Sequence, residues 1–246
     1  QLSGATWIAT DFLYSLRGDL TRITDAQGNV TTFTSNSLGR KVLETDPASG
    51  TTRMFYNQAG EVDRQINGLG ETTTHTYDLL GRMKTRTTRS GTAGAKTVTF
   101  DYDQVLAGFF NIGRLTRETD ALGTTSYRYN NRGLLANKVR HFVSDGDSPP
   151  ADQTFSYLYN PAGQPRKTTH PDNSSSLLQY DEAGRVTAAY YDPNGAGYWT
   201  LAFFDGLAAD GKPLIMETED LHVTNFVYHP SRRFLTSKKA FNKFAQ

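Results

Sequence analysis

Cysteine is absent from all 246 residues. That removes disulfide frameworks and thiolate metal sites and leaves the redox compartment open. A charge excess is absent as well. The 26 Lys and Arg nearly balance the 25 Asp and Glu, for a formal net charge of +1. No global field therefore draws the chain to nucleic acid or to an anionic membrane. No apolar run approaches the roughly 20 residues of a membrane span, so none is expected. Gln1 to Trp7 lack a basic region followed by an apolar stretch, so no signal peptide is expected in this segment.

What is present favours strands. Hydrophobic residues make up 37% and charged residues 21%, and the mean hydropathy is -0.56. This is wetter than an ordinary globular core. Aromatics reach 12%, dominated by 13 Tyr and 14 Phe. Together with abundant Thr they suit a pleated, half-exposed surface and argue against disorder.

Internal repeats organise the chain. YNQAGE begins at Tyr56, YDLLGR at Tyr77, YNNRGL at Tyr129, YNPAGQ at Tyr159 and YDEAGR at Tyr180. YSLRGD at Tyr14 and SNSLGR at Ser35 are degenerate copies, and the first four copies start 21 residues apart. A second turn signal lies inside each unit: DAQGN at Asp25, DPASG at Asp46, NGLGE at Asn67, DALGT at Asp120, HPDNS at His170 and DPNGAG at Asp192. Each unit reads turn, strand, turn, strand. Asp, Asn, Pro and Gly serve tight reversals through a preset φ, a positive φ or a side chain bonded to its own backbone. Between turns the pattern alternates with period 2, as in TTTHTY from Thr72 to Tyr77, which indicates strand. About nine units would give roughly 18 strands of a twisted, curling antiparallel sheet, about 85 Å across. The array is expected to fill residues 1–246 as one domain. Longer turns follow residue 77 (SGTAGAK from Ser90, QVLAGFFN from Gln104, SDGDSPPAD from Ser144), and degeneracy sets in beyond residue 199.

The motif Tyr-Asp-x-x-Gly-Arg, followed by a strand and an Asp-x-x-Gly turn, resembles the YD-repeat or RHS-repeat family. Tyr77, Asp78, Gly81 and Arg82 match it in full, as do Tyr180, Asp181, Gly184 and Arg185. Tyr56, Asn57 and Gly60, Tyr129 and Gly133, and Tyr159 and Gly163 match in part. Glu61, Leu134 and Gln164 replace the Arg there. The resemblance implies an all-β array of hairpins forming a segment of a hollow, spiralling shell. In bacterial members such a shell houses a toxic C-terminal segment or forms part of a toxin complex, and teneurins use a related shell. It implies as partners the other repeats of a parent shell and an encapsulated polypeptide. It also implies a secreted or cell-surface location reached through a bacterial secretion system. Without visible capping sequences, the chain reads as a piece of a larger protein.

Chemical motifs are weak. The recurring Tyr, Asp and Arg could suggest a site. A set repeated in every unit is better explained structurally, with Asp binding backbone N–H groups, Gly supplying an unusual φ and Tyr rings stacking between units. SGTAGAKT has Ala95 where a phosphate loop needs Gly. Asp145, Asp147 and Asp152 lack a calcium ligand ladder. DPNG at Asp192 resembles an autoproteolysis motif of bacterial shells but has Ala196 in place of Leu, and DPASG uses Asp-Pro simply as a turn. His75, His141, His170, His222 and His229 show no ligand spacing. The basic tail with Lys238, Lys239, Lys243, Phe241 and Phe244 reads as a solvated strand. No catalytic residue, metal or cofactor is expected, and no enzyme. The alternative to a shell is a carbohydrate-binding or adhesion module at the cell surface. Tyr190, Tyr191, Tyr198 and Trp199 would then stack on glycans.

Overall fold

Thr, Val, Tyr and Phe at alternating positions leave few choices but an extended chain, and each run ends where Asp, Asn or Gly supplies a turn. The computed structural model describes residues 9–143, 150–208, 210–218, 222–231 and 234–242. These contain twenty strands and no helix. The start at Gln1 to Trp7, the Asp145–Asp147 turn and the tail residues Lys243 and Phe244 lie outside the described residues.

The chain divides into two compact units. One holds the residues up to Asp101 with Glu118–Leu122, and the other holds Tyr102–Arg117 and the residues from Gly123. In the first, β1 (Asp11–Tyr14), β2 (Leu20–Thr24), β3 (Val30–Ser35), β4 (Lys41–Asp46), β5 (Gly50–Tyr56), β6 (Val62–Ile66), β7 (Thr72–Tyr77), β8 (Met83–Thr88) and β9 (Lys96–Tyr102) follow in order. Each pairs antiparallel with the next. β10 (Leu115–Asp120) comes next in the chain.

The second unit runs through β11 (Gly123–Tyr129), β12 (Leu135–Phe142), β13 (Gln153–Tyr159), β14 (Pro165–Thr169), β15 (Ser175–Tyr180), β16 (Val186–Asp192), β17 (Trp199–Leu207), β18 (Pro213–Glu217), β19 (His222–Tyr228) and β20 (Leu235–Asn242). These again pair antiparallel in sequence. The degenerate end of the sequence thus forms two regular hairpins, β17–β18 and β19–β20. Backbone pairing persists there after the side-chain signature has faded. Leu207 takes the Tyr position, while Gly211 keeps its N–H bond to the Ala208 carbonyl at 2.8 Å.

The core is thin. Among the described residues only Ala188, Ala202 and Val223 are buried hydrophobics. Buried polar residues, including Thr116, Thr125, Ser174, Ser175 and Asp192, outnumber them. Cross-strand pairs supply the contacts that a dense core would otherwise make. Thr76 faces Thr85 with hydroxyls 2.7 Å apart, and Thr87 faces Thr97 at 2.8 Å. The Arg64 guanidinium lies 4.0 Å from the ring centroid of its register partner Phe55.

Candidate functional site

The repeated motif builds one turn many times. In YDLLGR the Gly81 N–H donates to the Asp78 carbonyl at 3.0 Å, and the Asp78 N–H donates to the Arg82 carbonyl at 2.9 Å. Gly81 has φ +75. The pattern is a tight turn closed by a left-handed residue, with a bulge beside it. The register shifts between Thr76 and Tyr77, and likewise just before Tyr56, Tyr129, Tyr159 and Tyr180. The corresponding glycines Gly60, Gly133, Gly163 and Gly184 have φ +89, +74, +87 and +76. In the second-type turn at His170, Asn173 takes this role at φ +65.

The first side chain of the turn caps it from within. Asp78 Oδ1 accepts from the Leu80 and Arg82 N–H groups, each at 2.9 Å, and Oδ2 accepts from Arg82 Nε at 2.7 Å. Asp181 repeats this with the Arg185 N–H at 2.8 Å and Arg185 Nε at 2.7 Å. The backbone N–H of Arg82, then its guanidinium, holds the Asp78 carboxyl below its ordinary range, and Arg185 does the same for Asp181.

Where Asn begins the turn, the polarity inverts. Asn57 Nδ2 donates to Glu61 Oε2 at 2.7 Å, and Asn160 Nδ2 donates to Gln164 Oε1 at 2.9 Å. The second turn type follows the same rule: Asn29 Nδ2 donates to Asp25 at 2.8 Å, and Asn67 Nδ2 donates to Glu71 at 3.3 Å. A carboxylate in the first place is matched by a donor four residues on, and an amide by an acceptor. The replacement of Arg by Glu61 and Gln164 is therefore complementary to Asn57 and Asn160. The signal was present in the sequence, since at Asn57, Asp78, Asn160 and Asp181 the two positions change together.

Two turns depart from the rule: Asn130 is followed by the apolar Leu134, and Asn36 by the cationic Arg40. Asn36 Oδ1 accepts from two backbone N–H groups, and its amide offers Arg40 no carboxylate. Arg40 lies 4.9 Å from the Tyr56 ring centroid, and its buried Nε has no partner.

Successive turns touch. The side chain four residues after the turn's start reaches over the glycine of the following turn. A Cβ on Gly60 would meet Arg40 Nη1 at 2.9 Å, one on Gly81 would meet Glu61 Oε1 at 2.8 Å, and one on Gly184 would meet Gln164 Nε2 at 2.8 Å. Gln164 Nε2 also donates to the Gly184 carbonyl at 2.6 Å. Arg132 donates to the Asn160 and Pro161 carbonyls, both at 2.8 Å, and Arg185 donates to the Ala208 carbonyl at 3.0 Å.

The tyrosines complete the ladder. Tyr56, Tyr77, Tyr129, Tyr159 and Tyr180 donate their hydroxyls to the carbonyls of Lys41, Val62, Leu115, Leu135 and Pro165, at 2.6–2.9 Å. Each acceptor directly follows the position that reaches over the next glycine. The expected stacking of Tyr rings is thus replaced by a hydrogen bond from the ring's polar end to the preceding hairpin. Burial raises the hydroxyl pKa of Tyr77, Tyr159 and Tyr180.

The motif residues do not converge on a reacting centre. They are strung out turn by turn, and their carboxylates are occupied by backbone donors. Asp192 likewise accepts from the Asn194 and Gly195 N–H groups, at 3.2 and 2.7 Å. Lys96 begins strand β9 rather than a helix after the Gly-rich turn. Of the glycan-stacking candidates, Trp199 is 57% and Tyr198 43% exposed, while Tyr190 packs edge-on against Phe203.

The RHS repeat model matches residues 14–52, 112–142 and 159–196. Over those three stretches the sequence is similar to the RHS repeat. A search of curated proteins finds no match. Among solved structures, the chain is similar in fold to a stretch of TcdB2-TccC3. The TM-score is 0.81 at 16% identity, over 96% of this chain and 13% of that one. The Photorhabdus luminescens Tc holotoxin pore with a TccC3 variant gives 0.80 at 16% identity, over 95% of this chain and 12% of that one. TcdB2-TccC3 without its hypervariable C-terminal region gives the same score and coverage. The chain spans about an eighth of the length of these structures. Its fold is all-β and antiparallel, as the repeat pattern requires. Among the described residues no helix is long and apolar enough to cross a membrane.

Proposed function

We propose that residues 1–246 form one continuous stretch of an RHS shell whose wall encloses a polypeptide, the C-terminal toxin of a bacterial Rhs or toxin-complex protein. The carrying observation is the likeness of almost the whole chain to about an eighth of TcdB2-TccC3. A second supporting observation is internal. The turns lock to one another through Tyr hydroxyls and turn-to-turn side chains, which favours a rigid wall over a mobile binding arm. Catalysis has no part in this reading, because the recurrent polar groups are consumed in holding turns. The protein would act outside the cell that makes it, delivered by a secretion system.

Limited proteolysis of a longer protein that contains this array and the segment beyond it tests the reading. The downstream segment should resist protease in the native protein and be digested once the wall is opened by mild denaturant. Equal sensitivity in both states would contradict enclosure. The exposed Trp199 gives the carbohydrate reading its one support. Binding on a glycan array that is lost in Trp199→Ala would favour adhesion instead.

A further inference from the structure

The turn between β9 and β10 is a disguised copy of the motif. Tyr102 and Asp103 stand before it, and Gly113 and Arg114 after it, but nine residues replace the usual two. The Asp103 N–H still donates to the Arg114 carbonyl at 3.1 Å, and Asp103 Oδ1 still accepts from a turn N–H, here that of Gly113 at 2.5 Å. The insertion is therefore carried on an intact turn base and is itself ordered. Asn111, only 3% exposed, donates through Nδ2 to the Gln104 carbonyl at 3.0 Å and accepts from the Tyr129 N–H at 3.2 Å. The Phe110 N–H donates to the Tyr129 carbonyl at 2.8 Å.

That fixed loop shows apolar side chains outward. Val105 is 88%, Ile112 65% and Phe110 55% exposed. Clefts of about 440 Å³ open on its two sides, within the size range of ligand sites. Three guanidiniums border them. Arg114 donates to the Gly133 and Ile112 carbonyls, Arg132 to the Asn160 and Pro161 carbonyls, and Arg128 lies over the Phe109 ring at 5.6 Å. Among the described residues none of the three meets a carboxylate. Carbonyl dipoles position Arg114 and Arg132, an aromatic face lies under Arg128, and neither kind of partner neutralises the charge beside the exposed apolar surface. An apolar patch of this kind with fixed cations at its edge selects apolar side chains flanked by carboxylates.

We infer that the 104–113 insertion and its flanking clefts form a docking site for an acidic, aromatic-rich polypeptide segment. The site does not depend on the array enclosing cargo. The test uses the whole 246-residue chain and three short fluorescent peptides that alternate Glu with Phe, Lys with Phe, and Glu with Ser. The Glu-Phe peptide should bind at least about tenfold more tightly than either of the others by fluorescence anisotropy. Ile112→Asp and Val105→Asp place a carboxylate of the chain's own in the clefts at exposed positions, and each should weaken binding by about tenfold or more. Leu38→Asp, at an exposed position in another turn, should leave binding unchanged. Hydrogen exchange of the unaltered chain should show new protection at Phe109–Gly113 when the Glu-Phe peptide is added, which keeps the test open should a variant misfold. Equal affinity for the three peptides, unchanged binding by Ile112→Asp, or protection confined to the outer strands β1 and β20 would overturn the site.

Discussion

At the scale of single residues, the turn rule makes Asn36 a misfit, because a cation stands four residues on. Replacing it with Asp would give Arg40 the partner that Arg82 and Arg185 already have, and would satisfy its buried Nε. Asn36→Asp should stabilise the chain by about 0.5–1 kcal/mol, read as a raised urea midpoint. A lowered midpoint would refute the pairing rule. The rule also predicts coupling. Asp78→Asn and Arg82→Glu should each destabilise, and the double variant, which recreates the Asn57–Glu61 arrangement, should lose less than the sum. Gly81→Val should cost about 1–3 kcal/mol, because φ +75 is closed to a branched residue. The Glu61 oxygen near the new Cβ can swing aside, so most of that cost is backbone strain. An unchanged melting temperature would count against it.

At the scale of the hairpin, the Tyr hydroxyl joins one element to the one before it. Tyr77→Phe removes the 2.7 Å bond to the Val62 carbonyl. A loss of about 0.5–1.5 kcal/mol is expected, with faster amide exchange localised to β6 and β7. Exchange altered uniformly along the chain would argue against a local link. The turn carboxylates add a pH dependence. Asp78 and Asp181 are held below their ordinary range chiefly by the backbone N–H of Arg82 and Arg185, and Asp25 by the Asn29 amide. A carboxyl whose folded pKa is depressed contributes stability above its unfolded value, near 3.9, and that contribution is lost as pH falls through the folded value. Urea midpoints should therefore fall most steeply below about pH 4. A midpoint that holds steady down to pH 3 would contradict these bonds.

The hairpins were legible in the sequence because period-2 alternation and turn residues are local properties. Among the described residues the strands number twenty. After Leu207 the backbone repeats a turn that few side chains announce. The partners of Tyr56 or Tyr180 were not legible, since a hydroxyl's acceptor depends on how one hairpin sits on the last. The 104–113 insertion was legible as an elongated turn, but its closure was not. Its Asp103 and Gly113 are brought together only by the fold.

At the scale of the whole chain, the outer strands decide solution behaviour. Among the described residues β1 pairs only with β2, and β20 only with β19, and both are largely exposed. Unpaired edges template further pairing, so the isolated chain should associate with rising concentration in light scattering. A strict monomer at high concentration would mean that those edges are protected. The fold match concerns a stretch about an eighth the length of its structural relatives, so the proposed shell role is best tested in a protein that carries this array with further repeats. Electron cryomicroscopy of a full-length protein containing this array tests that role most directly. The shell reading predicts that the strands β1–β20 form part of a closed wall with polypeptide density inside it. A solvent-filled interior, or an array standing open as a free surface, would contradict it.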